Sequence, residues 1–139
     1  MYLIDTNVIS EARKRDRANP GVTAFFGHAA TEWRQLYLSA VTVGELRRGV
    51  ELIRHRGDLA QAATLEQWLF QVIETYGESV LPFGADEAHV WGRLRAPQAD
   101  HALDKQIAAT ALVWDLTLVT RNEADFAGTG VRVLNPFNL

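Results

Sequence analysis

The chain has 139 residues, of which 47% are hydrophobic and 22% are charged, with a formal net charge of −3. This composition suits one folded domain, residues 1–139, and excludes a long disordered segment or a basic nucleic-acid-binding surface over the whole protein. The absence of cysteine excludes disulfides and thiolate metal sites, and no apolar run approaches the ~20 residues that span a bilayer. We expect a soluble, cytoplasmic protein without a signal peptide or a membrane partner.

Short apolar runs bounded by turns or polar residues predict five strands, and helical patterns fill the segments between them. The first helix follows Thr6-Asn7, the second begins at Asn19-Pro20, and a later one is capped by Asp86 and stopped by Pro97. The strands are predicted at residues 2–5, 36–39, 79–83, 117–120 and 131–134, and three further helices at 41–56, 58–76 and 102–114.

Alternation of strands and helices predicts an α/β fold with three α/β/α layers around a mostly parallel sheet of about five strands. In such folds the ligand site lies outside the carboxyl ends of the strands. This rule places Asp5, Ser39 and Thr120 on one edge of the sheet, together with the starts of the helices that follow.

Four acidic residues are candidates for a site at that edge. Asp5 ends the first strand, Glu45 lies one turn into the helix 41–56, and Asp104 precedes an apolar helical stripe formed by Ile107, Ala108 and Ala111. Asp125 follows the fourth strand. Each has a structural alternative: Asp5 could cap a helix, Asp104 could interact with a helix dipole, and Asn122 with Asp125 resembles a capping box.

A cluster of carboxylates needs a cation, because like charges held together in a partly buried site are costly. Carboxylate oxygens without sulfur or paired histidines suit Mg²⁺ or Mn²⁺ and would support phosphodiester hydrolysis by metal-activated water. His101, three residues before Asp104, could be a ligand or a base, although a loop histidine beside a helix start is the simpler interpretation.

Four sequence blocks carry a resemblance to a known family: LIDTNVIS at 3–10, LSAVTVGELRRG at 38–49, LDKQIAATA at 103–111 and LVTRN at 118–122. In this order they resemble the PIN-domain family, in particular the VapC- and FitB-type toxin ribonucleases of bacterial type II toxin–antitoxin pairs. The resemblance extends over nearly the whole chain and implies a PIN-like fold.

The resemblance further implies a Mg²⁺-dependent endoribonuclease that cuts RNA, with Mn²⁺ as a substitute. Asp5, Glu45 and Asp104 would be catalytic metal ligands, and the fourth position would be Asp125, or else Asn122. By the same resemblance, Thr6, Asn7 and Thr120 would support the site through hydrogen bonds, and Lys105 would reach a phosphate or a neighbouring acid.

Two kinds of partner also follow from the resemblance: a second copy in a homodimer, and a cognate antitoxin that covers the site. The arginines between Arg47 and Arg56 could contact RNA or that antitoxin, or they could form a solvated face in which Glu51 pairs with Arg54. A PIN-fold binding module without activity and a housekeeping metal-dependent nuclease remain alternatives.

Overall fold

A five-stranded parallel sheet forms the centre of the computed structural model, which describes residues 1–139. The strand order is β3-β2-β1-β4-β5, and every neighbouring pair is parallel. Tyr2 of β1 is in register with Leu36 of β2 on one side and with Thr117 of β4 on the other. The strands are β1 Tyr2–Ile4, β2 Leu36–Ser39, β3 Val80–Leu81, β4 Thr117–Val119 and β5 Val133–Leu134.

Six helices connect the strands, which confirms the predicted α/β architecture. They are α1 Thr6–Ala12, α2 Pro20–Thr31, α3 Ala40–His55, α4 Leu59–Tyr76, α5 Ala85–Arg95 and α6 Ala102–Val113. Short 3₁₀ turns occur at Arg15–Arg17, Gly77–Ser79, Glu123–Phe126 and Pro136–Asn138. None of the helices has the length and apolar character needed to cross a bilayer.

The sheet separates two hydrophobic layers, because successive residues of a strand point to opposite faces. Ile4 and Val119 pack with α1 to α4, whereas Leu3 and Leu118 pack with α6 and the edge of α5. The small residues Ala108 and Ala111 of α6 are fully buried, as the apolar stripe after Asp104 predicts. The expected three layers are therefore present.

Most predicted boundaries lie within one or two residues of the observed ones, but the cap of α5 is wrong. Gly84 is the N-cap, and its backbone N–H donates to Oε1 of Glu87 at 2.9 Å, whereas Asp86 lies within the first turn. Because Glu87 is buried, this hydrogen bond also satisfies a carboxylate that has no basic partner. The strand predicted at 79–83 is shorter, since only Val80 and Leu81 pair with β2.

Candidate active site

Asp5 lies at the carboxyl end of the central strand and also caps a helix. Its backbone N–H continues the ladder to the carbonyl of Val119 at 2.9 Å, and its Oδ1 accepts a hydrogen bond from the backbone N–H of Thr6 at 2.8 Å. The side chain is almost completely buried, with 4% of the residue exposed. The expected helix cap and the expected site position are thus the same residue.

A hydroxyl and an amide from neighbouring segments orient the other oxygen of Asp5. Its Oδ2 accepts a hydrogen bond from Oγ1 of Thr120 at 2.7 Å and from Nδ2 of Asn7 at 3.3 Å. Thr120 follows β4 and is fully buried, and its Oγ1 accepts from the backbone N–H of Asn122 at 3.1 Å. Asn7 in turn accepts from the N–H of Arg121 at 3.0 Å. This network holds the carboxylate in one orientation.

Glu45 approaches the same edge from α3. Its Oε1 accepts a hydrogen bond from Oγ1 of Thr6 at 2.9 Å, and that hydroxyl lies 3.4 Å from the hydroxyl of buried Thr42. A Cβ built on Gly49, one turn further along α3, would meet no atom within 4 Å. The surface of α3 one turn beyond Glu45 is therefore open.

Asp104 and Asp125 meet at the start of α6. Asp104 lies in the first turn of α6 with 28% of its side chain exposed, and Asp125 lies in the 3₁₀ turn that follows β4. One donor atom each from Asp104, Asp125 and His101 lie within 4.8 Å of one another. The Nδ1 of His101 is 3.6 Å from Oδ2 of Asp104. His101, for which the simpler interpretation of the sequence was a loop residue beside a helix start, is thus part of this cluster.

Burial and mutual repulsion raise the pKa of three of these acids. Burial is the largest cause for Asp5, Glu45 and Asp104 alike, and hydrogen bonds from Thr120 and Thr6 oppose it at Asp5 and Glu45. Asp125 raises the pKa of Asp5 and Asp104, while Asp5 and Asp104 raise that of Glu45. The four acids therefore interact as one electrostatic group.

The donor set fits a hard divalent cation. None of the salt bridges involves Asp5, Glu45 or Asp125, and Asp104 has only His101 beside it. Carboxylates gathered without a basic partner are repulsive at neutral pH unless a cation compensates them, and oxygen donors suit Mg²⁺ or Mn²⁺. The residues present could hold such an ion between α1, α6 and the 3₁₀ turn after β4.

Comparisons with known proteins agree with this geometry. The PIN domain model matches residues 2–131. The chain is 35% identical over 144 residues to Toxin FitB of Neisseria gonorrhoeae, covering 99% of both chains. It is 32% identical over 148 residues to VapC ribonuclease Y4jK of Sinorhizobium fredii, covering 99% of this chain and 98% of the other. The chain belongs to the PIN-domain family.

A solved structure extends the match to three dimensions. The PIN domain described above superposes on a chain of FitAcB from Neisseria gonorrhoeae with a TM-score of 0.86, at 36% identity and with full coverage of both chains. The predicted fold class and the predicted family are confirmed.

Two structural alternatives at the PIN-domain site are not observed. Asn122 does not cap the following turn through its side chain, and its backbone N–H donates to Oγ1 of Thr120 rather than to Asp125, so the capping box is absent. Lys105 does not contact a neighbouring acid: it is buried, and its Nζ donates to the backbone carbonyl of Gln98. Lys105 thus ties the loop between α5 and α6 to α6.

Two arginines of α3 form salt bridges with acids of α3 and α4, and a third is exposed to solvent. Arg47 donates to Glu66 of α4 at 2.6 Å, and Arg54 contacts Glu66 at 3.2 Å as well as Glu51. The pairing of Glu51 with Arg54 is confirmed, and Glu66 connects α4 to α3 by pairing with Arg47 and Arg54. Arg48 is exposed, and its charge lowers the pKa of Glu45, against the larger effect of burial.

Proposed function

We propose that this PIN domain, residues 1–139, is a metal-dependent endoribonuclease that acts as the toxin of a toxin–antitoxin pair. The observation that carries the proposal is the grouping of Asp5, Glu45, Asp104 and Asp125 at the carboxyl edge of the sheet, where none of them forms a salt bridge with a lysine or an arginine. The relatives named Toxin FitB and VapC ribonuclease, each matched over almost their full length, support both parts of the proposal.

In the proposed mechanism Asp5 and Asp104 are the principal metal ligands, joined by Asp125 and Glu45. A bound Mg²⁺ or Mn²⁺ supplies an acidified water and neutralises charge that develops on the phosphate. Thr120 and Asn7 hold Asp5 in place, because both donate to its Oδ2. Glu45 is held by Thr6 through Oε1, which leaves Oε2 free to hold the metal or to take a proton from the attacking water.

The electrostatics support a site that works only with its metal. At neutral pH the carboxylates would repel the phosphate of an RNA backbone, and the exposed Arg48 beside Glu45 would offset only part of that charge. A divalent ion held by these carboxylates would offset much of their charge, which would lower the repulsion of an RNA phosphate and favour the charge that develops on it.

The test is cleavage of a mixture of tRNA and ribosomal RNA by the purified protein with Mg²⁺, with Mn²⁺ and with a chelator. We expect cleavage with either metal, none with the chelator, and none by Asp104→Asn. Asp115→Asn is the matched control, because Asp115 is an exposed aspartate that pairs with Arg132 before β4, at the opposite edge of the sheet. Cleavage by Asp104→Asn at the wild-type rate, or no cleavage by a folded wild-type protein, would contradict the proposal.

The toxin role needs its own test in growing cells. We expect expression of the wild-type chain to arrest growth, and co-expression of a cognate antitoxin to relieve the arrest, whereas Asp104→Asn is tolerated. Two solved complexes, FitAcB and FitAB bound to a DNA fragment, contain relatives of this chain together with a partner. Normal growth of the expressing cells, together with an active purified enzyme, would favour a housekeeping nuclease.

We propose that the free protein is a homodimer. Light scattering after size-exclusion chromatography can measure its mass.

A further inference from the structure

The loop before α6 brings a nitrogen donor into the acid cluster. His101 directly precedes α6, and one of its ring nitrogens, one oxygen of Asp104 and one oxygen of Asp125 lie within 4.8 Å of one another. His101 and Asp104 are neighbours at the start of α6, whereas Asp125 comes from a separate 3₁₀ turn and is brought to them by the tertiary structure. An imidazole among carboxylates changes the chemistry of the cluster from oxygen alone to mixed nitrogen and oxygen.

The contacts of His101 leave its ring available to a ligand. The side chain makes no capping hydrogen bond to α6, although His101 occupies the N-cap position. Its Nδ1 lies 3.6 Å from Oδ2 of Asp104, which is longer than a hydrogen bond. Two donors of one ion, each about 2.1 Å from it, lie roughly 3–4 Å apart, so the observed separation suits ligands that share an ion.

We propose that His101 is a direct metal ligand which, with Asp104 and Asp125, makes the site bind Mn²⁺ in preference to Mg²⁺. Magnesium strongly prefers oxygen donors, whereas first-row transition metals also accept imidazole nitrogen. The His101 ring therefore adds binding energy for Mn²⁺ and little for Mg²⁺. This inference rests on the proposed metal site and concerns which ion that site selects.

The experiment measures metal binding to metal-free protein by calorimetric titration with MnCl₂ and with MgCl₂. In His101→Gln we expect the Mn²⁺ affinity to fall by at least about tenfold and the Mg²⁺ affinity to change by less than about threefold. His28→Gln is the matched control, because His28 lies in the last turn of α2, next to the amino end of β2 and at the opposite edge of the sheet. We expect both affinities to be unchanged in that variant.

Pulsed electron paramagnetic resonance of bound Mn²⁺ gives a second readout that a purely structural histidine would not change. We expect coupling to a nitrogen nucleus in the wild-type protein and in His28→Gln, and none in His101→Gln. Nitrogen coupling that persists in His101→Gln, or is absent from the wild type, would overturn the assignment. Equal losses of Mn²⁺ and Mg²⁺ affinity would also overturn it, since they would show that His101 only positions Asp104.

The two proposals fail in different ways. If the wild-type protein binds and uses metal but shows no nitrogen coupling, the role of His101 is wrong and the nuclease stands. If the folded wild-type protein binds neither ion, as measured alongside Asp104→Asn, the metal site itself is wrong and both proposals fall. Circular dichroism of each variant verifies that the fold is retained.

Discussion

The hydroxyl of Thr120 offers the sharpest test of how the Asp5 carboxylate is held. We consider Thr120→Val, which keeps a branched side chain of similar shape but removes the donor 2.7 Å from Oδ2 of Asp5. Both residues are buried, so water cannot readily replace the lost hydrogen bond. The variant also removes the acceptor of the Asn122 backbone N–H.

Loss of a hydrogen bond to a charged group costs about 1.5–3 kcal/mol. For a chain of this length we expect the melting temperature of the metal-free protein to fall by roughly 5–10 °C near neutral pH. Thr120→Ser is the control, because it keeps the hydroxyl and removes only one methyl group, at a cost of about 1 kcal/mol. Thermal unfolding followed by circular dichroism measures both variants.

The pH dependence separates this hydrogen bond from a packing defect. The bond from Thr120 lowers the pKa of Asp5, so Thr120→Val raises that pKa further above its ordinary value. The wild-type protein is therefore more stable than Thr120→Val at neutral pH. This difference in stability is lost as the pH falls through the pKa of Asp5, because Asp5 is then protonated in both proteins. Equal destabilisation by Thr120→Val and Thr120→Ser, or a Thr120→Val effect that does not diminish in acid, would refute the reasoning.

Two further predictions concern charge and packing. The pKa values of Asp5, Glu45 and Asp104 are raised, so the contribution of these three acids to the stability of the metal-free protein is lost as the pH rises through those values towards neutral pH. In Asp104→Asn the free energy of unfolding should rise by up to about 1 kcal/mol at neutral pH, because one of the repelling carboxylates is removed. If the stability of this variant changed with pH as steeply as that of the wild type, repulsion among these acids would be contradicted. Gly21→Ala should cost about 2–3 kcal/mol, because its Cβ would lie 2.0 Å from the carbonyl oxygen of Pro136. Gly27→Ala, in the same helix and in open space, should stabilise by about 0.5–1 kcal/mol, and urea unfolding that finds the two changes equivalent would contradict the packing.

Local sequence patterns were sufficient to locate most elements of this PIN domain. Apolar runs that stop at Asp5 and Thr120 predicted the ends of β1 and β4, and the apolar stripe after Asp104 predicted the buried face of α6. These predictions succeed because strand and helix periodicity depends on which side chains a single segment must bury. The parallel topology then followed from the alternation of strands and helices.

Local patterns did not predict the contacts of side chains whose partners lie in another segment. Lys105 binds the carbonyl of Gln98 rather than an acid, and Arg54 pairs not only with Glu51 of its own helix but also with Glu66 of α4. In both cases the partner is set by how one helix packs against another segment. Sequence spacing does not encode such choices.

The sequence by itself determined the fold class, the family motifs and the four acids that belong at one edge of a parallel sheet. The spacing of His101 and Asp104 left the role of the histidine open, and only the tertiary structure decided that both residues meet Asp125. The physical reason is that acids at strand ends are brought together by the regular geometry of the sheet, whereas the position of a loop side chain depends on the path of the loop. In this protein Lys105 and Gln98 connect that loop to α6.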